Sequence, residues 1–401
     1  MARTFDTTCC IVGGGPAGMM LGVLLARAGI KATVLEKHAD FLRDFRGDTI
    51  HPSTLELMHE LGWLEDFLAL PHYKARHLHA RFGGRDYRVA DFTHLPTRCG
   101  YVAFMPQWDF LDFLAERAAA CPQFELRMAT EVTDIVAADR HVSGVRARDA
   151  DGELTVGASL VVAADGRSST VRERAGLEVT RLGAPMDVLW FRLPRGEGDP
   201  QEPAGSFAAG GILILIARGD YWQCGYVIAK GSLDALRDAG LPALREAIGT
   251  LAPFVRDRLD HIRAWDDVKL LNVAVDRLER WFRHGVLAIG DAAHAMSPIG
   301  GVGINLAIQD AVAAARLLAG PLARGMPSDD DLAAVQRRRQ WPARVTQRLQ
   351  LLVQERVIRA VLAGSGELGA PLPVRLLARL PWLQRLPARL IGLGVRPEHI
   401  A

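Results

Sequence analysis

Apolar residues fall into short runs punctuated by glycine, and the runs change character twice along the chain. Thr8 to Val12 is a β-forming run that stops in glycines. Pro16 to Ala28 has helical spacing, with Gly29 placed as a C-terminal stop. Lys31 to Leu35 is a second buried-strand pattern and ends at Glu36. This order predicts a βαβ unit opening a parallel sheet. His77 to Phe92 reads as a strand pair around Gly83-Gly84, and Asp109 to Ala120 as a helix. Phe124 to Val156 alternates apolar and polar in short strands, with a turn at Asp151-Gly152. Leu160 to Ala164 is apolar on both faces, as a central parallel strand should be, and runs into Asp165-Gly166.

From about Val179 to Asn272 the pattern becomes antiparallel in type, with the strands VLWFRL, ILILIA and YWQCGYVIA and a helix around Leu233 to Gly249. We read this stretch as an inserted second domain. Val286 to Ile289 returns to a core strand ending in Gly290-Asp291, and a helix follows over Gly303 to Leu318. From Leu332 onward the chain is helical and rich in Leu and Arg. A length of 401 residues suits two packed domains, or one large domain with an insert, better than a single core.

Charge and cysteine content narrow the picture. Lys and Arg number 48 against 46 Asp and Glu, a balance that argues against a nucleic-acid partner. Cys9, Cys10, Cys99, Cys121 and Cys224 form no C-x-x-C pair. Scattered thiols in odd number suit a reducing cytoplasm and argue against a flavin disulfide reductase. A strand pattern begins almost at the first residue, so no signal peptide is expected. No apolar run reaches the ~18 residues of an integral membrane span.

The chemistry is concentrated in three motifs. The first, Gly13-Gly14-Gly15-Pro16-Ala17-Gly18, is a G-x-G-x-x-G between a strand and a helix. Glycines there permit a tight turn and close backbone approach to a pyrophosphate, which meets the free N–H groups of the helix N-terminus. Glu36 lies 18 residues past Gly18 (36 − 18), where an acid can bond a ribose hydroxyl. The same pattern recurs at Gly364-Ser365-Gly366-Glu367-Leu368-Gly369, but after a helical stretch, and reads as a chance match. The second motif is Asp165-Gly166-Arg167-Ser168-Ser169-Thr170-Val171-Arg172. The third is Gly290-Asp291-Ala292-Ala293-His294, continuing through Pro298, Gly300, Gly301, Gly303 and Asn305 to Asp310.

In order and type these motifs resemble the fingerprints of the flavoprotein aromatic hydroxylases, the para-hydroxybenzoate hydroxylase type, over roughly residues 6 to 318. The resemblance implies an α/β fold: a Rossmann-like FAD-binding domain, an inserted antiparallel-sheet substrate domain and a helical C-terminal region. The expected parts are 1–76, 100–178 and 280–331 for FAD, 77–99 and 179–279 for substrate, and 332–401 for the helices. Gly13, Gly15, Pro16, Ala17 and Gly18 would hold the pyrophosphate and Glu36 a ribose hydroxyl, with Lys37 and Val132 as further cofactor-binding residues. Asp165 would sit by the pyrophosphate and also affect nicotinamide-nucleotide use. Gly290 and Asp291 would meet the ribityl chain. Gly301, Gly303, Ile304 and Asn305 would bring backbone and side-chain donors to the pyrimidine end of the flavin, where negative charge builds on reduction. Pro298 would line the flavin where oxygen reacts. Arg46 and Gln107 match positions that touch the diphosphate and ribityl chain, with a loop salt bridge and a helix start as their plain readings.

The resemblance further implies non-covalent FAD, transient NADPH or NADH, and O₂. One oxygen atom would pass from a C4a-hydroperoxyflavin to an aromatic or other electron-rich hydrophobic small molecule. No metal is expected. The rivals are a same-fold enzyme with another outcome, such as N-hydroxylation, epoxidation or antibiotic oxygenation, and a non-oxygenating FAD reductase. Phe45-Arg46-Gly47 with His51 also resembles part of the Baeyer–Villiger signature, but Leu55 stands where that signature has Trp or Pro. His51 is a candidate proton relay or substrate contact, against a packing or capping role. His294 reads as structural. Trp190, Arg192, Gln223 and Tyr226 are candidate substrate contacts on sheet strands, with Trp222 beside them, against plain sheet packing. Oligomeric state is open, a homodimer included. Val374 to Arg396 carries five arginines and no acid. We expect Pro381 and Pro387 to break it into short structural helices; an interfacial basic segment is the other reading.

Overall fold

The computed structural model describes residues 3–42, 49–139, 141–200, 204–364 and 369–400. Arg46 and the Phe45–Gly47 stretch lie outside the described residues, as does 365–368 within the second glycine pattern.

The first sheet has eight strands. Its main path runs Phe282–Arg283, Val286–Ala288, Gly152–Ala163, Arg3–Val12, Ala32–Leu35 and Phe124–Arg127. The four pairings from Val286–Ala288 to Phe124–Arg127 are parallel. Glu131–Ala138 and His141–Asp149 form an antiparallel meander onto Gly152–Ala163. The first strand begins at Arg3, five residues before the apolar run. Its polar start, Arg3 to Thr7, pairs with Leu154 to Ala158, which an apolar-run reading misses. Val12 is level with both Leu35 and Ala163, and Ala163 with Ala288. The glycine loop, Glu36, Asp165 and Gly290-Asp291 therefore all leave the sheet at its carboxyl edge, where open α/β sheets bind ligands. The helices Pro16–Arg27 and Gly303–Arg324 pack together against this sheet. By length and mean hydropathy Ile299–Arg324 meets the test for a membrane-spanning segment, although Asn305, Gln309, Asp310 and Arg316 interrupt its apolar residues. It is a core helix here, most of it buried in the protein.

The second sheet has seven strands in the order Lys269–Leu271, Met186–Pro194, Tyr221–Ala229, Gly211–Arg218, Ala204–Ala208, His77–Phe82 and Arg85–Asp91. It is antiparallel except where Ala204–Ala208 runs parallel to His77–Phe82. One face packs on the helix Leu233–Leu251 through Leu189, Phe191, Leu213 and Tyr226. That helix is not continuous: Gly240 takes φ 84°, ψ 166°, and Pro242 follows it, which lacks the N–H a helix interior needs. The opposite face looks back at the loop after Gly290, with Val188, Trp190 and Val227 packed near Ile299.

The C-terminal helices are part of this architecture. Asp329–Val353 continues through a π-helical turn, Gln354–Ile358, into Arg359–Ala363. Leu372–Arg379 and Arg385–Gly392 then pack against the Arg85–Asp91 strand. The break between them falls at Leu380 and Pro381. Pro387 breaks nothing, contrary to expectation. It lies in the first turn of Arg385–Gly392, where a missing N–H leaves no intrahelical bond unmade.

Candidate active site

The glycine loop is shaped by contacts that no side chain would tolerate. Gly13 has φ +105°, and a Cβ there would lie 2.4 Å from the Ala164 carbonyl oxygen; one on Gly18 would lie 1.9 Å from that of Gly13. Gly15 differs, since a Cβ there would meet nothing within 4 Å. The first two glycines close the strand–helix turn, and the third leaves an open backbone surface before Pro16. Glu36 is buried and holds the loop from the next strand. Its Oε2 accepts from the Gly14 N–H at 2.8 Å and its Oε1 from the His38 N–H at 3.0 Å. The His38 and Glu36 carbonyls of the same turn accept backbone bonds from the Ala129 and Thr130 N–H groups, which brings buried Val132 close by. Lys37 is exposed beside it.

The second and third motifs meet across adjacent strand ends. Asp165 Oδ2 accepts from the Val171 N–H at 3.3 Å, while its buried Oδ1 has no hydrogen-bond partner in the protein. Burial raises its pKa, against the opposing hydrogen bonds from Ser169 and the local backbone. Arg167 places a guanidinium nitrogen 3.5 Å from Asp291 Oδ2, joining the two motifs. Gly290 takes φ +58°, and a Cβ there would lie 3.1 Å from the Ala307 Cβ and 3.2 Å from that of Ala17, one on each helix. Its N–H donates to Asp310 Oδ2 at 3.1 Å.

Asp310 is the centre of a buried charge network. His294 Nε2 donates to Asp310 Oδ2 at 2.6 Å, and Arg339 Nε to Asp310 Oδ1 at 2.9 Å. Arg339 also reaches Glu398 Oε1 at 3.3 Å, with Arg338 on the same carboxylate. Burial pushes the Asp310 pKa up, but His294 and Arg339 together outweigh it and hold it below the usual carboxylate range. His294 is thus a structural residue tying the Gly-Asp turn to the C-terminal helices.

The loop from Ser297 to Asn305 is set by residues far away in sequence. Gln350 Nε2 donates to the carbonyls of Ser297 and Ile299, each at 2.9 Å, and Gln354 Nε2 to Ser297 Oγ at 2.8 Å. Gln347 does the same for Asp276 and Ala295, at 2.7 and 3.1 Å. These three positions were missed by sequence reasoning. Their signal is glutamine recurring at 347, 350 and 354 on one buried helix face. Pro298 opens a tight turn in which its carbonyl accepts from Gly301 N–H at 3.1 Å. A Cβ on Gly301 would strike Thr49 Oγ1 at 2.4 Å. The helix that starts at Gly303 has no side-chain cap, so the N–H groups of its first turn, Gly303, Ile304 and Asn305, lack intrahelical acceptors.

The Asn305 side chain, expected to donate outward, is used internally. Its Oδ1 accepts from the His51 N–H at 2.8 Å and Thr54 Oγ1 at 2.7 Å, and its Nδ2 donates to the Thr49 carbonyl at 3.0 Å. The same Nδ2 lies 3.4 Å from the Gly301 carbonyl, so the side chain braces the loop from within. His51 is likewise engaged. It caps the helix Pro52–Glu60, and its Nδ1–H donates to the Ile391 carbonyl at 2.7 Å. Burial lowers its pKa to about 4, against that hydrogen bond. Gln107 is the first residue of the helix Gln107–Ala119, half-buried after Pro106.

Strand parity sorts the four candidate substrate contacts. Trp190, Gly225, Ile214 and Gly205 pair in succession across four strands, so their positions share a face. Arg192 and Gln223 pair one step along on that face. Gln223 is buried and accepts from Arg218 Nε at 3.1 Å, while Arg192 is exposed over the Tyr221 ring. Tyr226 is one residue out of phase. It sits on the opposite face, under the helix Leu233–Leu251, which removes it from the candidate contacts. Trp222 is also in that core, donating Nε1–H to Asp199 at 2.7 Å. The two glycines let rings lie flat on the sheet. A Cβ on Gly225 would touch the Trp190 indole at 3.1 Å, and one on Gly205 the Phe207 ring at 3.1 Å. Between them Ile214, in the middle of the sheet, is 37% exposed. The result is an aromatic floor of Trp190, Ile214 and Phe207, with Phe207 stacked on Phe82 at 4.5 Å.

A Rossmann-type nucleotide edge facing an aromatic sheet through a single glycine-rich loop is the architecture of a single-nucleotide flavoenzyme. Residues 6–349 match the FAD binding domain family model, and the chain belongs to this family, among the flavoprotein aromatic hydroxylases; it is an FAD-dependent monooxygenase. It is 36% identical over 354 residues to 6-methylpretetramide 4-monooxygenase of Streptomyces rimosus, covering 86% of this chain and 83% of that protein. It is 29% identical to dialkyldecalin synthase of Streptomyces rugosporus, over 76% of this chain and 63% of that protein. The fold is shared with p-nitrophenol 4-monooxygenase of Pseudomonas putida DLL-E4, at a TM-score of 0.80 and 20% identity, over 98% of this chain and 100% of that one.

Proposed function

We propose that the enzyme binds one FAD non-covalently, takes hydride from NADPH or NADH that binds transiently, and uses O₂ to hydroxylate a planar, multi-ring aromatic compound of the polyketide type. The observation that carries the substrate class is the flat floor of Trp190, Ile214 and Phe207, spread over adjacent strands of one sheet face, as fused rings would require. The polyketide-type name of the relative in Streptomyces rimosus points the same way.

The protein fits FAD on its own chemistry. Gly15 leaves backbone open at a helix N-terminus, where N–H groups meet a pyrophosphate. Glu36 stands ready for a ribose hydroxyl and the buried, unpartnered Asp165 Oδ1 for a donor near the pyrophosphate. Asp291 would accept from the ribityl hydroxyls, and the first-turn N–H groups of Gly303, Ile304 and Asn305 would stabilise negative charge at the pyrimidine end. FAD supplies hydride acceptance and oxygen activation when bound. The chain's part is to hold Pro298 and Ile299 in place through Gln350, to keep His51 neutral, and to close the space between loop and sheet with apolar side chains that exclude water. All five cysteines are free thiols, which suits a reducing cytoplasm.

The test is a panel of phenols and fused-ring aromatics assayed for stimulated NAD(P)H oxidation, with product mass by spectrometry. A gain of one oxygen atom on a fused-ring compound supports the reading. The relation to dialkyldecalin synthase keeps one alternative in view, a non-oxygenating member that holds FAD; retained FAD with no ligand-stimulated O₂ uptake would identify it.

A further inference from the structure

The inner faces of the last two helices are structural: Ala388 and Gly392 are buried, and the Ile391 carbonyl holds His51. Their outer faces carry a repeated dipeptide. Arg375-Leu376, Arg379-Leu380, Arg385-Leu386 and Arg389-Leu390 place arginine beside leucine at four-residue spacing on each helix, which stacks them into parallel stripes. All eight residues are exposed. Leu386 is 58% exposed, and Trp382, at the turn between the helices, 62%. No Asp or Glu occurs from Leu372 to Arg396.

The charge decides what covers this face. A second copy docked through it about a two-fold axis would set these arginines against the same arginines, with no acid on either helix to offset them. An anionic bilayer satisfies both halves of the pattern. Guanidinium groups meet headgroup phosphates, while leucines and a tryptophan enter the boundary of the acyl chains. The helices are eight residues each, far short of the ~20 needed to span. We infer that the outer face of Leu372–Gly392 docks the enzyme peripherally on anionic membrane. Ile391, on the inner edge of the same helix, lies beside Gly300 of the active-site loop. A hydrophobic compound dissolved in the bilayer is therefore met close to the site. The inference rests on the tail alone and stands or falls independently of the substrate class.

The experiment is co-sedimentation of the full-length, FAD-loaded protein with vesicles of phosphatidylcholine and phosphatidylglycerol in equal parts, against phosphatidylcholine alone. Binding to the anionic vesicles is expected to weaken by roughly tenfold or more on omitting phosphatidylglycerol or raising salt. Arg385→Glu with Arg389→Glu, and separately Leu376→Asp with Leu386→Asp, should each lower the partition by about tenfold or more while melting temperature and flavin content match the parent. If the leucine pair destabilises the fold, the arginine pair carries the test. Equal binding to both vesicle types, or no binding, overturns the inference. So does a solution dimer, seen by light scattering without lipid, that the leucine pair dissociates.

Discussion

His51 offers a quantitative test of how the tail and the active-site loop depend on each other. Its ring is buried, its Nδ1–H is committed to the Ile391 carbonyl, and its pKa is lowered from 6.5 to about 4 by burial. The unfolded chain then binds more protons than the folded one between those values. Stability contributed by this site is complete above pH 6.5 and falls as the pH drops towards 4. The full difference is 6.5 − 4 = 2.5 pH units, which is worth roughly 3 kcal/mol, of which about 2 kcal/mol is lost between pH 7 and pH 5. His51→Asn keeps a donor near the Nδ1 position and removes the titration. Urea denaturation followed by tryptophan fluorescence should show the parent losing about 2 kcal/mol more than His51→Asn between pH 7 and pH 5. Equal losses, or an NMR signal titrating near 6.5 that disappears in His51→Asn, would refute the reasoning and restore His51 as a candidate proton carrier.

Other consequences can be checked on the same protein. Arg339→Met leaves the Asp310 and Glu398 carboxylates buried without their shared cation, and should cost about 3–5 kcal/mol at pH 7 in a denaturant melt. The loss should shrink towards pH 5 as the variant's Asp310 takes up a proton; a loss independent of pH counts against a charged network. Asp291→Ala should weaken FAD binding about ten- to hundredfold in a fluorescence titration, as expected for a charge-assisted hydrogen bond of roughly 1.5–3 kcal/mol. Gly13→Ala, with φ +105° and a Cβ 2.4 Å from Ala164 O, should yield protein without flavin or no soluble protein. Normal flavin content would contradict the loop geometry. Gly225→Val should lift the Trp190 ring from the sheet and raise KM for fused-ring substrates about tenfold or more, roughly the 1–3 kcal/mol that a methylene-sized change costs in an apolar pocket. The flavin spectrum should stay that of the parent.

What the sequence by itself determined is the nucleotide edge. Gly13 and Gly290 take positive φ in turns at strand ends, Gly18 lies against the Gly13 carbonyl, and Glu36 and Asp165 follow buried strands. Such features are local, so their residue types survive as motifs whatever surrounds them. The tertiary structure decided the rest. Whether Tyr226 or Trp190 faces the loop that carries Ile299 depends on which side of the sheet the helix Leu233–Leu251 packs, and strand alternation alone leaves both sides equal. The roles of Asn305 and His51 depend on partners some 250 and 340 residues away. Gln350 and Gln354 look like ordinary helix residues until the Ser297–Ile299 backbone is laid against them. A buried carbonyl needs a donor, but nothing in the local sequence says which distant element will supply it.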